Sequence, residues 1–235
     1  MTDSLFTEAY FAKSFTVSHP IPAFKNAITR ENEQLKLRFK PAHSPAELLS
    51  EKASFIDNLL SACWTHFLAD EADQQALIAT GGYGRGELFP YSDIDILIVL
   101  NQEFTDKIQD GLSAFSNFLW DIGLKPGLRT CFTNECVAFA LQDQTIFTSL
   151  LEMRLISGNP DLFETLSKQI INTQLWSSER FFLAKMNEQE QRYGKFHDTA
   201  YNLEPNIKEG PGGLRDLQVI SWVFKRYYPA ESIRE

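Results

Sequence analysis

Cysteine is scarce: three residues among 235, an odd number and too few for a disulfide framework. Cys63, Cys131 and Cys136 therefore read as reduced thiols, which points to a cytoplasmic setting. Long apolar runs are missing too. No stretch approaches the ~20 residues needed to cross a bilayer. The opening M-T-D-S-L-F-T-E has neither the basic start nor the clean apolar segment of a secretory leader, and no membrane partner is expected. Basic charge is in deficit, with 22 Lys and Arg against 31 Asp and Glu and a net charge of −9. A protein that grips nucleic acid through its phosphates needs a basic face, so no nucleic-acid partner is expected. A single nucleotide stays open, because a metal ion and a few basic side chains can neutralise it. No internal repeat or low-complexity tract appears, and an apolar content of 43% is that of a globular chain.

Two familiar phosphate-binding patterns are also absent. The chain contains no G-K-[ST], so there is no P-loop. Gly82-x-Gly84-x-Gly86 is one residue short of the dinucleotide fingerprint, and Glu87-Leu88-Phe89-Pro90 does not open a helix. Cys63-x-x-His66 and Cys131-x4-Cys136 have the residue types of zinc ligands. Cys63 and His66, however, fall on a segment whose helical apolar spacing already explains them.

What is present is concentrated between Thr80 and Leu100, T-G-G-Y-G-R-G-E-L-F-P-Y-S-D-I-D-I-L-I-V-L. Gly81 and Gly82 open a tight turn, with Gly84 and Gly86 close behind. A polar link, Glu87 to Ser92, leads to Asp93 and Asp95, which flank one isoleucine at the head of an apolar run. Side chains alternate along a strand, so the two carboxylates share one face, and Ile94, Ile96, Ile98 and Leu100 share the other. Carboxylates set so close repel one another unless a cation lies between them. Hard oxygen ligands of this kind suit Mg²⁺, which takes one or two carboxylates together with substrate phosphates. Glycines let the backbone approach a polyphosphate, and successive N–H groups form an anion nest. The stretch therefore reads as a phosphate-binding turn feeding a metal-binding strand, the equipment for phosphoryl or nucleotidyl transfer.

Around it, a helix is expected from Pro45 to Leu68, with Ser44 as its cap, Pro45 in its first turn and Trp64 in the core. A short strand follows over Ala76 to Thr80. After the acidic strand come a helix from Asp106 to Ile122 and a strand from Leu124 to Phe132, placed at an edge by Pro126 and Gly127. Helices are then expected over 143–156, 161–171, 178–191 and 214–228, with the Pro- and Gly-rich block 201–213 as a loop. Residues 1–44 read as a loosely attached arm or accessory helix, with Ile28 to Phe39 helical and His19-Pro20-Ile21-Pro22 a break. The expected division is thus an arm over 1–44, a core over 45–158 and a helical domain over 159–235. The fold class is α+β, a small mixed sheet backed by helices and followed by that helical domain.

The run G-G-Y-G-R-G-E-L-F-P-Y-S-D-I-D resembles the signature of the polymerase-beta-type nucleotidyltransferase superfamily. More closely, it resembles the N-terminal region of the bifunctional uridylyltransferase/uridylyl-removing enzymes, which modify the PII nitrogen regulatory protein. Tyr201 to Gln218, Y-N-L-E-P-N-I-K-E-G-P-G-G-L-R-D-L-Q, and Leu150 to Gly158, L-L-E-M-R-L-I-S-G, carry the resemblance further. It implies a polymerase-beta-like core, Mg²⁺ as cofactor, UTP as donor and PII as acceptor in nitrogen regulation.

On that reading Asp93 and Asp95 are the catalytic and metal-binding residues. Gly81 and Gly82 cradle the triphosphate, with Ser92 as a phosphate donor or a turn hydroxyl and Arg85 on phosphate or paired with Glu87. The loop from Lys208 to Asp216 forms a second wall of the nucleotide site, or else a capped turn between helices. In it Lys208, Gly212, Gly213 and Arg215 would bind nucleotide, helped by free N–H groups where a helix begins near Gly213.

The superfamily usually adds a third carboxylate on a neighbouring strand; Asp121, Glu135 and Asp143 are the candidates. Relatives tend to carry Gly-His-Ser or Gly-His-Ala where this chain has only Gly127-Leu128-Arg129. His197-Asp198 alone does not make an HD-type phosphohydrolase, because the other histidines, His19, His43 and His66, lie far upstream. The hydrolase half and the C-terminal ligand-sensing domains of the family are therefore expected to be absent, and the helical domain truncated. Two alternatives stay open: transfer to another protein or a small molecule, and nucleotide binding without turnover.

Overall fold

The structure is a computed structural model and describes residues 5–40, 43–101, 104–171, 175–196 and 204–228. These form two compact units. The first comprises residues up to 136 together with 152–166, and the second 137–151 with 167 onward.

The first unit is built on four strands: β1 (Ala76–Ala79), β2 (Asp95–Leu100), β3 (Gly127–Phe132) and β4 (Arg154–Gly158). Their order is β3-β2-β1-β4. β1 runs antiparallel to both β2 and β4, while β2 and β3 are parallel, so the sheet is mixed and the fold α+β. β3 is at an edge, as its Pro and Gly flanks lead one to expect. Ile94, Ile96, Ile98 and Leu100 join one hydrophobic core with Leu77 and Ala79 of β1. That core also takes Leu59, Leu60, Cys63 and Trp64 from α3 (Pro45–Leu68) and Phe115 and Leu119 from α5 (Asp106–Asp121). Thr105 caps α5 by accepting from the Ile108 N–H.

Residues 5–38 are not a loose arm. They form α1 (Glu8–Ser14) and α2 (Pro20–Arg38), and Phe11 and Phe24 are both 0% exposed within the same core. Pro20 begins α2 rather than breaking it, because proline in a first turn forfeits only an N–H that has no helical partner. Cys63 is buried among apolar side chains and His66 stacks on Phe15 at 3.8 Å, so neither is arranged as a zinc ligand.

Two further expectations give way. The helix expected over 143–156 stops early: α7 covers Gln144–Leu150, and Arg154–Gly158 extends as β4 along β1. β1 is a short central strand with a backbone edge to satisfy on each side, and that pairing outweighs the ambiguous apolar spacing of 150–156. The expected thiols Cys131 and Cys136 are a disulfide. β3 ends at Phe132 and α6 (Thr133–Gln142) begins at once, a reversal that brings the two Cα atoms to 6.2 Å despite the small cysteine count.

The second unit is helical. It includes α7 and most of α6, the later part of α8 (Pro160–Ile171), α9 (Ser178–Gly194) and α10 (Leu214–Tyr227). Phe147, Trp176 and Phe181 pack ring against ring, and the Trp176 indole donates to the Ala140 carbonyl at 2.8 Å. The expected His197-Asp198 pair lies outside the described residues.

Candidate active site

The acidic pair sits where three strand ends meet. Asp95 is the first residue of β2 and is exposed; Asp93, also exposed, lies two residues earlier, with buried Ile94 between them. Backbone bonds fix this head on both sides. The Thr80 N–H donates to the Asp95 carbonyl at 3.1 Å, and the Gly127 N–H donates to the Ile94 carbonyl at 3.0 Å. Asp95 is therefore flanked by the end of β1 and the beginning of β3, where the register pairs it with Gly127.

The glycine run leaves β1 directly. Gly81 has φ of 57° and starts a single helical turn, α4 (Gly81–Gly84), which Thr80 precedes without a side-chain capping bond. Gly84 is demanded by close approach, because a Cβ there would lie 1.9 Å from the Glu152 carbonyl oxygen and 3.0 Å from that of Ala79. Tyr83 is buried, and its hydroxyl donates to Asp57 of α3 at 2.6 Å. The same Asp57 carboxylate receives two Arg154 bonds, at 2.7 and 3.1 Å. Burial, with the Asp57 charge, pushes the Tyr83 hydroxyl pKa well above its ordinary value. α3, the glycine turn and β4 thus meet on one carboxylate.

Arg85, expected on phosphate or paired with Glu87, is engaged by Glu87 and by a second carboxylate, Glu152. Its Nε donates to Glu87 at 2.8 Å and its Nη1 to Glu152 at 2.6 Å, while its Nη2 lies beside Gly82. The Glu152 side chain is only 1% exposed, and Arg85 helps to offset the charge there. Lys52 of α3 donates to the carbonyls of Phe89 and Pro90, at 2.9 and 3.0 Å, and so fastens the link between turn and strand. Ser92 is exposed in that link, and its N–H donates to the Phe89 carbonyl. Lys52, Asp57, Glu152 and Arg154 went unassigned in the sequence reading. Only their polar character within otherwise apolar segments marked them.

Residues 64–155 match the family described as the nucleotidyltransferase domain, and residues 180–235 match the one described as GlnD PII-uridylyltransferase. Similar proteins include the bifunctional uridylyltransferase/uridylyl-removing enzymes of Methylococcus capsulatus, 46% identical over 92% of this chain, and of Nitrosococcus oceani, 47% identical over 96%. Over most of its length the chain is thus similar to a part of the bifunctional uridylyltransferase/uridylyl-removing enzymes. It spans about a quarter of the length of these relatives, 24% and 25%.

The donors at the head of β2 suit a hard cation. Two exposed carboxylates, with no side chain from Gly127 crowding Asp95, match an ion that keeps several waters and binds phosphate. Among the described residues, no group of three or more His, Cys, Asp or Glu gathers to hold a metal. β3 itself, G-L-R-T-C-F, carries no carboxylate. Of the candidates for a third ligand, Glu135 accepts from the Phe132 N–H and Asp143 caps α7 through the N–H groups of Thr145 and Ile146. Asp121 is exposed at the end of α5.

The other PII-uridylyltransferase segment lies in the second unit. There the N–H groups of Gly213, Leu214 and Arg215 donate to the carbonyls of Gly210, Ile207 and Lys208, so they are not free for an anion as expected. Gly213 is required because a Cβ would lie 2.6 to 3.0 Å from three carbonyl oxygens of this loop. The Gly212 N–H donates to Asp216, and Arg215 bonds to Glu209 and Gln218. Lys208 is exposed. Asp216 accepts from Arg192, Tyr193, Gln189 and Gly212. Burial alone would raise its pKa, but these donors hold it down to about 2.

Proposed function

We propose that the chain transfers UMP from UTP to a tyrosine hydroxyl of the PII nitrogen regulatory protein, in the cytoplasm and with Mg²⁺ as cofactor. The reading rests on the exposed Asp93–Asp95 pair joined to the Gly81–Gly86 turn inside the nucleotidyltransferase match. UTP and PII enter through the relatives' names and the family. No nucleic acid and no membrane enters the scheme; among the described residues no helix is long and apolar enough to cross a bilayer.

Asp93 and Asp95 would hold Mg²⁺, which supplies charge neutralisation at the triphosphate and acidifies a bound hydroxyl. The turn at Gly81 and Gly82 brings bare backbone up to the phosphates, with the Nη2 edge of Arg85 and the Ser92 hydroxyl as flanking donors. Glu152, Asp57 and Lys52 hold this geometry in place before the substrate arrives, which is where most of the catalysis of such transfers lies. The tyrosine oxygen bonds to the α-phosphorus, the bond from that phosphorus to the α,β-bridging oxygen breaks, and pyrophosphate departs. The hydroxyl proton passes to solvent. Of the loop residues Lys208, Gly212, Gly213 and Arg215, Lys208 is exposed and offers an ammonium to an anion, while the other three have partners or packing demands within their own loop.

The test is transfer of label from UTP to PII by the wild-type chain, Asp93→Asn and Asp95→Asn. Each substitution is expected to reduce transfer by roughly 10²–10³-fold; activity that survives both would overturn the assigned site. The lack of a carboxylate on β3 favours a second reading, a nucleotide-binding regulatory module without turnover. Calorimetric binding of Mg²⁺–UTP with no pyrophosphate release in the presence of PII would select it.

A further inference from the structure

Gly127 has no backbone reason to be glycine. It opens an ordinary strand, and its φ is not among the positive values. Glycine at such a position weakens a strand and marks a close approach. The approach here is made by one group. A Cβ on Gly127 would lie 2.8 Å from Asp95 Oδ1 and 4.0 Å from its Cγ, and among the described residues, apart from Gly127 and its two chain neighbours, no other atom comes within 4 Å of that point. The parallel register sets the two residues side by side, and the Gly127 N–H donates to the carbonyl just before Asp95, so β3 cannot drift away.

We propose that Gly127 is a positioning residue for nucleotidyl transfer: its missing side chain is the space in which the Asp95 carboxylate lies when it meets the cation. The proposal rests on the reading of Asp95 as a metal ligand. It explains why β3 carries no acidic group beside Asp95, since any side chain at this register position would displace the carboxylate it was meant to assist. It also separates function from stability. The atom met is the end of a side chain rather than backbone, so a methyl at 127 can be relieved by turning the carboxylate without moving a strand. What is lost is the orientation of an oxygen ligand, and displacing a group that orients a metal ligand typically costs roughly 10- to 100-fold in ion affinity.

The experiment measures binding of Mn²⁺–UTP by water-proton relaxation, and melting temperature, for wild type, Gly127→Ala, Asp95→Asn and the double variant. Gly127→Ala is expected to weaken ion binding roughly tenfold while melting within a few degrees of wild type. In the Asp95→Asn background the same change should have no further effect, because it acts through Asp95. If Asp95→Asn weakens binding but Gly127→Ala does not, or if the two effects add, the positioning role is overturned while the metal-ligand reading stands. If Asp95→Asn leaves binding unchanged, or the wild type binds no ion, both fall. A large drop in melting temperature with unchanged ion binding would mark Gly127 as structural only.

Discussion

Arg85 and Glu152 are 67 residues apart in sequence, yet Nη1 and Oε2 meet at 2.6 Å behind the glycine turn. The glutamate side chain is 1% exposed and the arginine 17%, so neither is well served by solvent. Removing the buried acid leaves Arg85 with, among the described residues, the exposed Glu87 as its carboxylate partner. Glu152→Gln is expected to cost about 2 kcal/mol, within the range for hydrogen bonds to charged groups. Urea unfolding of the variant against wild type measures it. A loss below about 0.5 kcal/mol would mean that water serves the pair as well as the protein does.

Gly84 carries a harsher constraint on the same face of the turn. The atom a Cβ would strike is a backbone carbonyl oxygen at 1.9 Å, which has no rotamer to give. Gly84→Ala is expected to destabilise by about 3 kcal/mol, at the top of the usual range for overpacking. Gly86, whose Cβ would meet nothing within 4 Å, is the comparison: Gly86→Ala should show only the strain of its φ of 75°, about 1 kcal/mol. Thermal melts of the two variants rank the effects.

The division between what was legible and what was not follows sequence distance. The turn and the acidic strand could be read because glycines, the Asp-Ile-Asp alternation and the apolar run are all local signals. The edge strand before Phe132 and the helix at Pro45 were legible for the same reason. β4 was missed because 150–156 is apolar at positions that suit a helix as well as a strand, and only the open edge of β1 decides between them. Glu87 could be named as a partner of Arg85 because it lies two residues away, but the distant pairings were invisible. Tyr83 meets Asp57 over 26 residues, Arg85 meets Glu152 over 67 and Arg154 meets Asp57 over 97, and no local period encodes such pairings. The disulfide failed on arithmetic: a count of three cysteines spoke against a framework, but not against one pair joined across a strand-to-helix reversal.

Asp57 serves as a hub, accepting from the Tyr83 hydroxyl and from two nitrogens of Arg154. Tyr83→Phe removes one neutral donor and is expected to cost about 1 kcal/mol. Asp57→Ala strands both the guanidinium and the hydroxyl and is expected to cost about 3 kcal/mol. Because the residues share one carboxylate, the double variant should cost less than the sum, with a coupling of about 1 kcal/mol. Chemical unfolding of the four proteins closes the cycle; strict additivity would show that the tyrosine hydroxyl draws nothing from Asp57.

Asp216 makes the second unit sensitive to acid in a defined window. Its donors hold the folded pKa at about 2, against about 3.9 for an unperturbed aspartate. The folded state therefore binds this proton more weakly than the unfolded chain does. The stabilisation is complete above about pH 4 and is lost as pH falls through about 2, and its size is about 2–3 kcal/mol. Asp216→Asn cannot titrate and removes the nearer of the two carboxylates at Arg192, leaving Glu209 at 3.9 Å, so it should be less stable than wild type at neutral pH by a similar amount. The gap between the two proteins should then narrow as pH falls from 4 towards 2. Denaturant unfolding at a series of pH values, followed by fluorescence of the buried Trp222, gives that gap directly. A gap that stays constant across the window would mean that the Asp216 carboxylate is not held by the charged partners it touches.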